Sequence, residues 1–231
     1  MTANPDDHLG PTEFLDCDHP TVRQFAERAA GDAVNPVDRA VRLYYAVRDS
    51  IHYEVYGRDL SRTGMKASSV IDAGTGFCIH KSVAYAAAGR ALGVPTRLVL
   101  TDVRNHLASD RLQQLVGGDV FRFHALVSVH LEGRWVRATP VFNRTLCRLY
   151  QIKPLDFDGR ADSVYHPYDE EGRRHMEFLH EHGEFGDFPY QMVIEGIRAA
   201  HPGLFAGRHT LRQGSLVDEA SPVDRAAPTR P

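Results

Sequence analysis

Two residues carry the chemistry this chain can do. Cys78 stands in Gly-Thr-Gly-Phe-Cys78-Ile-His-Lys-Ser-Val-Ala-Tyr, and His124 in Phe-Arg-Phe-His124-Ala-Leu-Val-Ser-Val. A thiolate is the nucleophilic form of cysteine, and an imidazole can accept the thiol proton and return it to a leaving group. Brought together, the pair can attack a carbonyl carbon through a thioester intermediate.

The spacing around each residue says how it would be presented. Ile79, Val83, Ala87 and Ala91 recur every fourth position, which predicts a helix starting at Cys78 that buries one alanine-rich face. Gly93 and Pro95 stop it. Gly74, Thr75 and Gly76 allow a sharp entry, so Cys78 falls on the first turn, where unpaired N–H groups favour an anion. That placement predicts a depressed thiol pKa and puts the Cys78 N–H beside a developing oxyanion.

His124 belongs to an alternating run. Phe123, Ala125, Val127, Val129 and Leu131 share one face of a strand, with His124, Leu126, Ser128 and His130 on the other. Glu132-Gly133 reads as a two-residue hairpin turn into a second strand, Arg134 to Val141. Pairing Leu131 with Arg134 sets Leu126 against Thr139 and makes Thr139 the diagonal neighbour of His124, about 7 to 8 Å away at Cα.

The remaining segments read as support. Pro20 and Gly31 bracket a helix carrying Val22, Phe25 and Ala29, and Asn35-Pro36 opens another with Val37, Val41, Tyr44, Val47 and Ile51 on one stripe. A loop from Tyr53 to Lys66 leads into a short helical turn at Ala67 to Asp72. Thr96 to Asp102 is a strand. Val103 to Asp119 is a polar excursion that either overhangs the site as a lid or lies on the surface. Glu170 to His182 reads as helical, as does Phe188 to Ala200. From Arg212 onward the composition predicts a disordered tail. The organisation is an N-terminal extension (1–19), one domain (20–211) and that tail (212–231).

Composition bounds the function. The 231 residues, 42% hydrophobic, suffice for one core; a net charge of −3 with 27 Lys and Arg among 30 Asp and Glu argues against nucleic acid. No apolar run approaches a membrane span and the start is polar, so the expected compartment is the cytoplasm. Cys17, Cys78 and Cys147 are too few and too scattered for a disulfide framework. The thirteen histidines supply no spacing that gathers three ligands, so neither metal nor cofactor is expected.

These motifs together resemble the transglutaminase-like superfamily of papain-type thiol enzymes. The resemblance rests on Gly-Phe-Cys78 at a helix start, on Arg90-Ala-Leu-Gly-Val-Pro-Thr-Arg97, on His124 in a strand and on Gly133-Arg-Trp135-Val-Arg-Ala-Thr139-Pro140 in the next, over roughly residues 32–142. It implies an α+β fold with N-terminal helices and a nucleophile-bearing helix packed on an antiparallel sheet. It also implies Cys78 and His124 as catalytic residues. The family's third catalytic residue is an aspartate before a proline, and Thr139 stands there. A hydroxyl can orient an imidazole without offsetting its charge; Asn143, Asp156, Asp158 and Asp162 are the other groups available to orient it.

The reading is cysteine-dependent acyl transfer or hydrolysis at an amide, ester or thioester carbonyl. The partners would be a small-molecule or peptide acyl donor and water or an amine as acceptor. The alternative is a catalytically silent module of the same fold that binds a peptide or a partner protein, with Thr139 the trace of lost catalysis. Tyr53 is either a hydrogen-bond donor to the oxyanion or a structural tyrosine, and Trp135 packs on the hairpin or lines a groove.

Overall fold

A computed structural model of the chain describes residues 4–106, 108–165, 176–207 and 209–220. Two capped helices lead in. Pro20 occupies the first turn of α1 (Pro20–Ala30), which ends at Gly31 with φ 55°. The side chain of Asn35 accepts from the Asp38 N–H to start α2 (Pro36–Ser50). Strand β1 (His52–Tyr53), helix α3 (Ala67–Ala73) and strand β2 (Thr75–Gly76) follow. The two short strands pair in parallel, Tyr53 against Gly76, which fixes Tyr53 beside the entry to the next helix.

That helix, α4 (Cys78–Ala91), departs from the single buried stripe expected of it: every residue from Cys78 to Arg90 is buried. It runs through the middle of the protein, and alanines let its neighbours approach on all sides. Its polar residues are bonded in place. The ammonium of Lys81 caps the last carbonyls of α2, reaching Arg48 O at 2.8 Å and Ile51 O. Ser82 Oγ donates to Ala125 O at 3.0 Å, and Arg90 joins Gly10, Thr96 and Gly186 through their carbonyls. Entry to the helix requires Gly76, because a Cβ there would lie 2.5 Å from the Cβ of His80.

Beyond α4 come β3 (Thr96–Asn105), α5 (Asp110–Val116), β4 (Val120–Leu131), β5 (Arg134–Ala138), α6 (Arg144–Leu149), β6 (Met176–Phe185), α7 (Tyr190–Ala200) and α8 (Leu216–Ala220). The four long strands form one antiparallel sheet in the order β5-β4-β3-β6. Ala125, Val127, Val129 and Leu131 turn into the main core, while Leu126 and Ser128 are buried on the other face. The architecture is the α+β arrangement expected, a nucleophile-bearing helix on an antiparallel sheet.

The hairpin follows the predicted register from Leu131↔Arg134 to Val127↔Ala138, with Glu132 and Gly133 at φ 48° and 80° as a tight turn demands. The ladder ends at Ala138, one residue before Thr139.

Two expectations are corrected. The stretch read as a helix from Glu170 to His182 is strand β6 from Met176 onward, because the open edge of β3 takes up its backbone; residues 166–175 lie outside those described. Residues 212–220 are not a tail: Leu216 is buried, its N–H donates to Glu54 and its carbonyl accepts from Tyr150. The N-terminal segment likewise buries Phe14, Leu15 and Cys17. Among the described residues no helix is long and apolar enough to cross a membrane.

Candidate active site

The structure brings Cys78 and His124 to one cavity. Cys78 opens α4, whose first turn has no side-chain cap. The backbone N–H groups of Ala125, Ile79 and Cys78 itself favour its thiolate. Cys78 and His124 are nearly sealed, at 8% and 5% exposure, and both line a cavity of about 100 Å³.

That burial reverses one expectation. Placement at a helix start predicted a depressed thiol pKa, yet burial pushes Cys78 up to about 11, outweighing the three N–H groups. Burial alone lowers His124 to about 4. The unliganded pair is therefore a neutral thiol and a neutral imidazole at physiological pH.

The candidates for a third residue sit elsewhere. Thr139 is fully buried; its carbonyl accepts from Tyr44, and its Oγ1 has no hydrogen-bond partner, as is also true of His124 Nε2, so the two are not bonded to each other. Asn143 accepts the Tyr53 N–H at 3.1 Å and so anchors the strand beside Cys78. Asp156 takes Tyr45 and Arg48, Asp158 caps Arg160 and Ala161, and Asp162 accepts from the Arg137 N–H. Tyr53 lines the cavity, its phenol pushed well above its ordinary range by burial and then by the nearby Cys78. His80 faces away, edge-on to Phe77 and bonded to Asp59 O, while Trp135 lies on the hairpin under Arg97, 3.7 Å from its ring centre.

With this geometry in view, the family model of the transglutaminase-like superfamily matches residues 23–140. The chain belongs to the transglutaminase-like superfamily. Cys78, His124 and Thr139 fall inside the matched stretch and Asn143 outside it. Among solved structures, the chain is similar to a proposed cysteine protease from Cytophaga hutchinsonii at 16% identity and TM-score 0.46, over 61% of this chain and 43% of that one. It is also similar to a proposed protease from Parabacteroides distasonis at 12% identity and TM-score 0.36, over 58% of this chain and 25% of that one. This chain thus spans less than half of either neighbour. No curated protein matches it.

One part of this superfamily site escaped the sequence reading. Asp102, fully buried on β3, accepts from His182 Nε2 at 2.7 Å, from Arg122 and from the Phe123 N–H at 3.2 Å. Burial acts to raise its pKa, yet these donors bring it below the usual carboxylate value. The Phe123 N–H belongs to a β-bulge: Phe121 pairs with Val103 and His124 with Thr101, leaving two residues of β4 opposite one of β3. Phe123 takes φ 58° there and stacks on His182 at 4.4 Å. The uninterrupted alternation expected from Phe121 is therefore broken one residue before His124, and Asp102 holds the break. A lone aspartate after Leu-Val-Leu-Thr in a strand was the only signal.

Proposed function

We propose that this protein is a cysteine-dependent acyltransferase or hydrolase, with Cys78 as nucleophile and His124 as its general base and acid. The observation that carries the reading is that Cys78, at the start of α4 with no side-chain cap, lines the same cavity as His124. On donor binding the sulfur attacks the carbonyl carbon as its proton passes to His124, and the Cys78 N–H supports the oxyanion. The bond from carbonyl carbon to leaving group then breaks, and that group departs with the proton from His124. Water or an amine next attacks the thioester, gives a proton to His124 and releases the Cys78 thiol. Because the resting pair is neutral, the proton moves only when a donor is present.

A silent binding module finds support in one feature: no carboxylate meets His124 among the described residues. Intact-mass analysis after incubation with thioester donors separates the two readings. An acyl adduct mapped to Cys78, absent in Cys78→Ser and formed at least 100-fold more slowly in His124→Ala, is the expected result. No adduct, or one indifferent to His124, would favour the silent module.

A further inference from the structure

The cavity beside Cys78 is lined by side chains that speak to what it holds. Its walls include Leu112, Leu146, Ile197, Leu204, Leu211 and Leu216, drawn from three separate stretches of the chain. All but Leu112 lie beyond residue 140, outside the stretch the superfamily model matches. Cys78 lies in the matched stretch, while eleven of the 24 lining residues lie beyond it.

Several polar groups at the cavity are already spent on the protein, while His124 Nε2 is not. Ser109 accepts from the Leu112 N–H and donates to Glu219. The Tyr150 hydroxyl donates to Leu216 O at 3.0 Å. His201 takes the Arg122 N–H on Nε2 and meets Val116 O through Nδ1. Arg122, the one Lys, Arg, Asp or Glu in the lining, is paired with Asp102. A charged acyl group entering here would lose much of its water, with the half-exposed, Asp102-paired Arg122 as the one charged side chain among the described lining residues.

Resting on the reading of Cys78 as an acyl-accepting nucleophile, we propose that the acyl group it takes up is a short, uncharged alkyl chain that fills this cavity, with the donor's leaving group outside. The cavity, about 100 Å³, is smaller than the roughly 150 Å³ apolar cavity known to take up benzene, which matches a chain of about four carbons. With a thioester donor the step balances simply. The Cys78 sulfur bonds to the acyl carbon, the donor's carbon–sulfur bond breaks, and the thiol proton reaches the departing sulfur through His124.

The test is a series of N-acetylcysteamine thioesters carrying acetyl, propionyl, butyryl and succinyl groups. Each is given to the full chain, with acylation of Cys78 timed by intact mass. Burying a methylene contributes about 0.8 kcal/mol, so the acylation rate constant at low donor should rise about fourfold per carbon from acetyl to butyryl, with succinyl at or below acetyl. Ala108→Leu, at a partly exposed position of the lining, should lower the butyryl-to-acetyl ratio severalfold. A flat or falling series, or succinyl as the best donor, would overturn the alkyl pocket and leave Cys78 chemistry standing. Failure of every donor to acylate Cys78 would overturn both.

Discussion

His124 and His182 flank the same strand and live in opposite worlds. His124, on β4 opposite Thr101, is sealed, with no carboxylate bonded to it among the described residues. His182, on β6, is one-fifth exposed and bonded to the buried Asp102, which also takes Arg122 and a backbone N–H. The chain has built an aspartate–histidine pair, and built it beside the candidate catalytic histidine instead of on it. A carboxylate in a buried strand serves here to hold backbone: Asp102 ties the bulge that precedes His124. Thr139, where the resemblance would put an acid, has a hydroxyl without a hydrogen-bond partner. A histidine's neighbourhood, more than its presence, therefore separates a structural role from a chemical one.

The sharpest way to break this contrast is to remove the acid that is present. Asp102→Ala leaves Arg122, His182 and the Phe123 N–H without their shared acceptor, and should lower unfolding free energy by about 3–5 kcal/mol in urea melts. A loss below about 1 kcal/mol would mean that the network does not hold the bulge.

Acid offers a second handle. Burial lowers His80 and His124 from 6.5 to about 4, so the unfolded chain gains protons before the folded one does. The contribution of these two rings should be full above pH 6.5 and fall steadily towards pH 4, by at most roughly 3 kcal/mol per ring. Asp102, held below its ordinary 3.8, adds its loss only at still lower pH. Urea midpoints at pH 7 and pH 5 measure the slope, and His124→Gln should reduce it. Equal midpoints would show that the ring is not sealed.

The smallest effect comes from supplying the acid that is missing. Thr139→Asp sets a carboxylate on the diagonal from His124, where it should raise the imidazole pKa and increase Cys78 acylation about tenfold or more. Proton-detected titration of the ring and the acylation assay read the two consequences separately. A variant that folds yet leaves both unchanged would place Thr139 out of reach.

Much of this was legible in the chain. Helix starts and stops were written in Pro20, Gly31, Asn35-Pro36 and Gly93, and the hairpin register in Glu132-Gly133, because caps and tight turns are local chemistry. The helix start at Cys78 and the strand carrying His124 were legible from local patterns. What was hidden depends on distant partners. The Met176–Phe185 strand exists because β3 has a free edge, and no local period announces that. Leu216 packs because a cavity wall needs it. The Cys78 pKa was misjudged since a helix start favours a thiolate locally, whereas complete burial of α4 follows from the whole assembly. Asp102 was passed over because the bulge it ties lies 21 residues on in sequence.

The central claim is that Cys78 and His124 form a neutral pair at rest, activated only when a donor fills the cavity. Iodoacetamide labelling of Cys78 across pH 5 to 10, followed by peptide-mapped mass spectrometry in the native protein and in His124→Ala, tests it directly. The account predicts a rate that climbs steadily with pH towards a thiol pKa of about 11, with no plateau at neutral pH and little change in the variant. A plateau from pH 5 to 8 that vanishes in His124→Ala would reveal a preformed thiolate–imidazolium pair and contradict it.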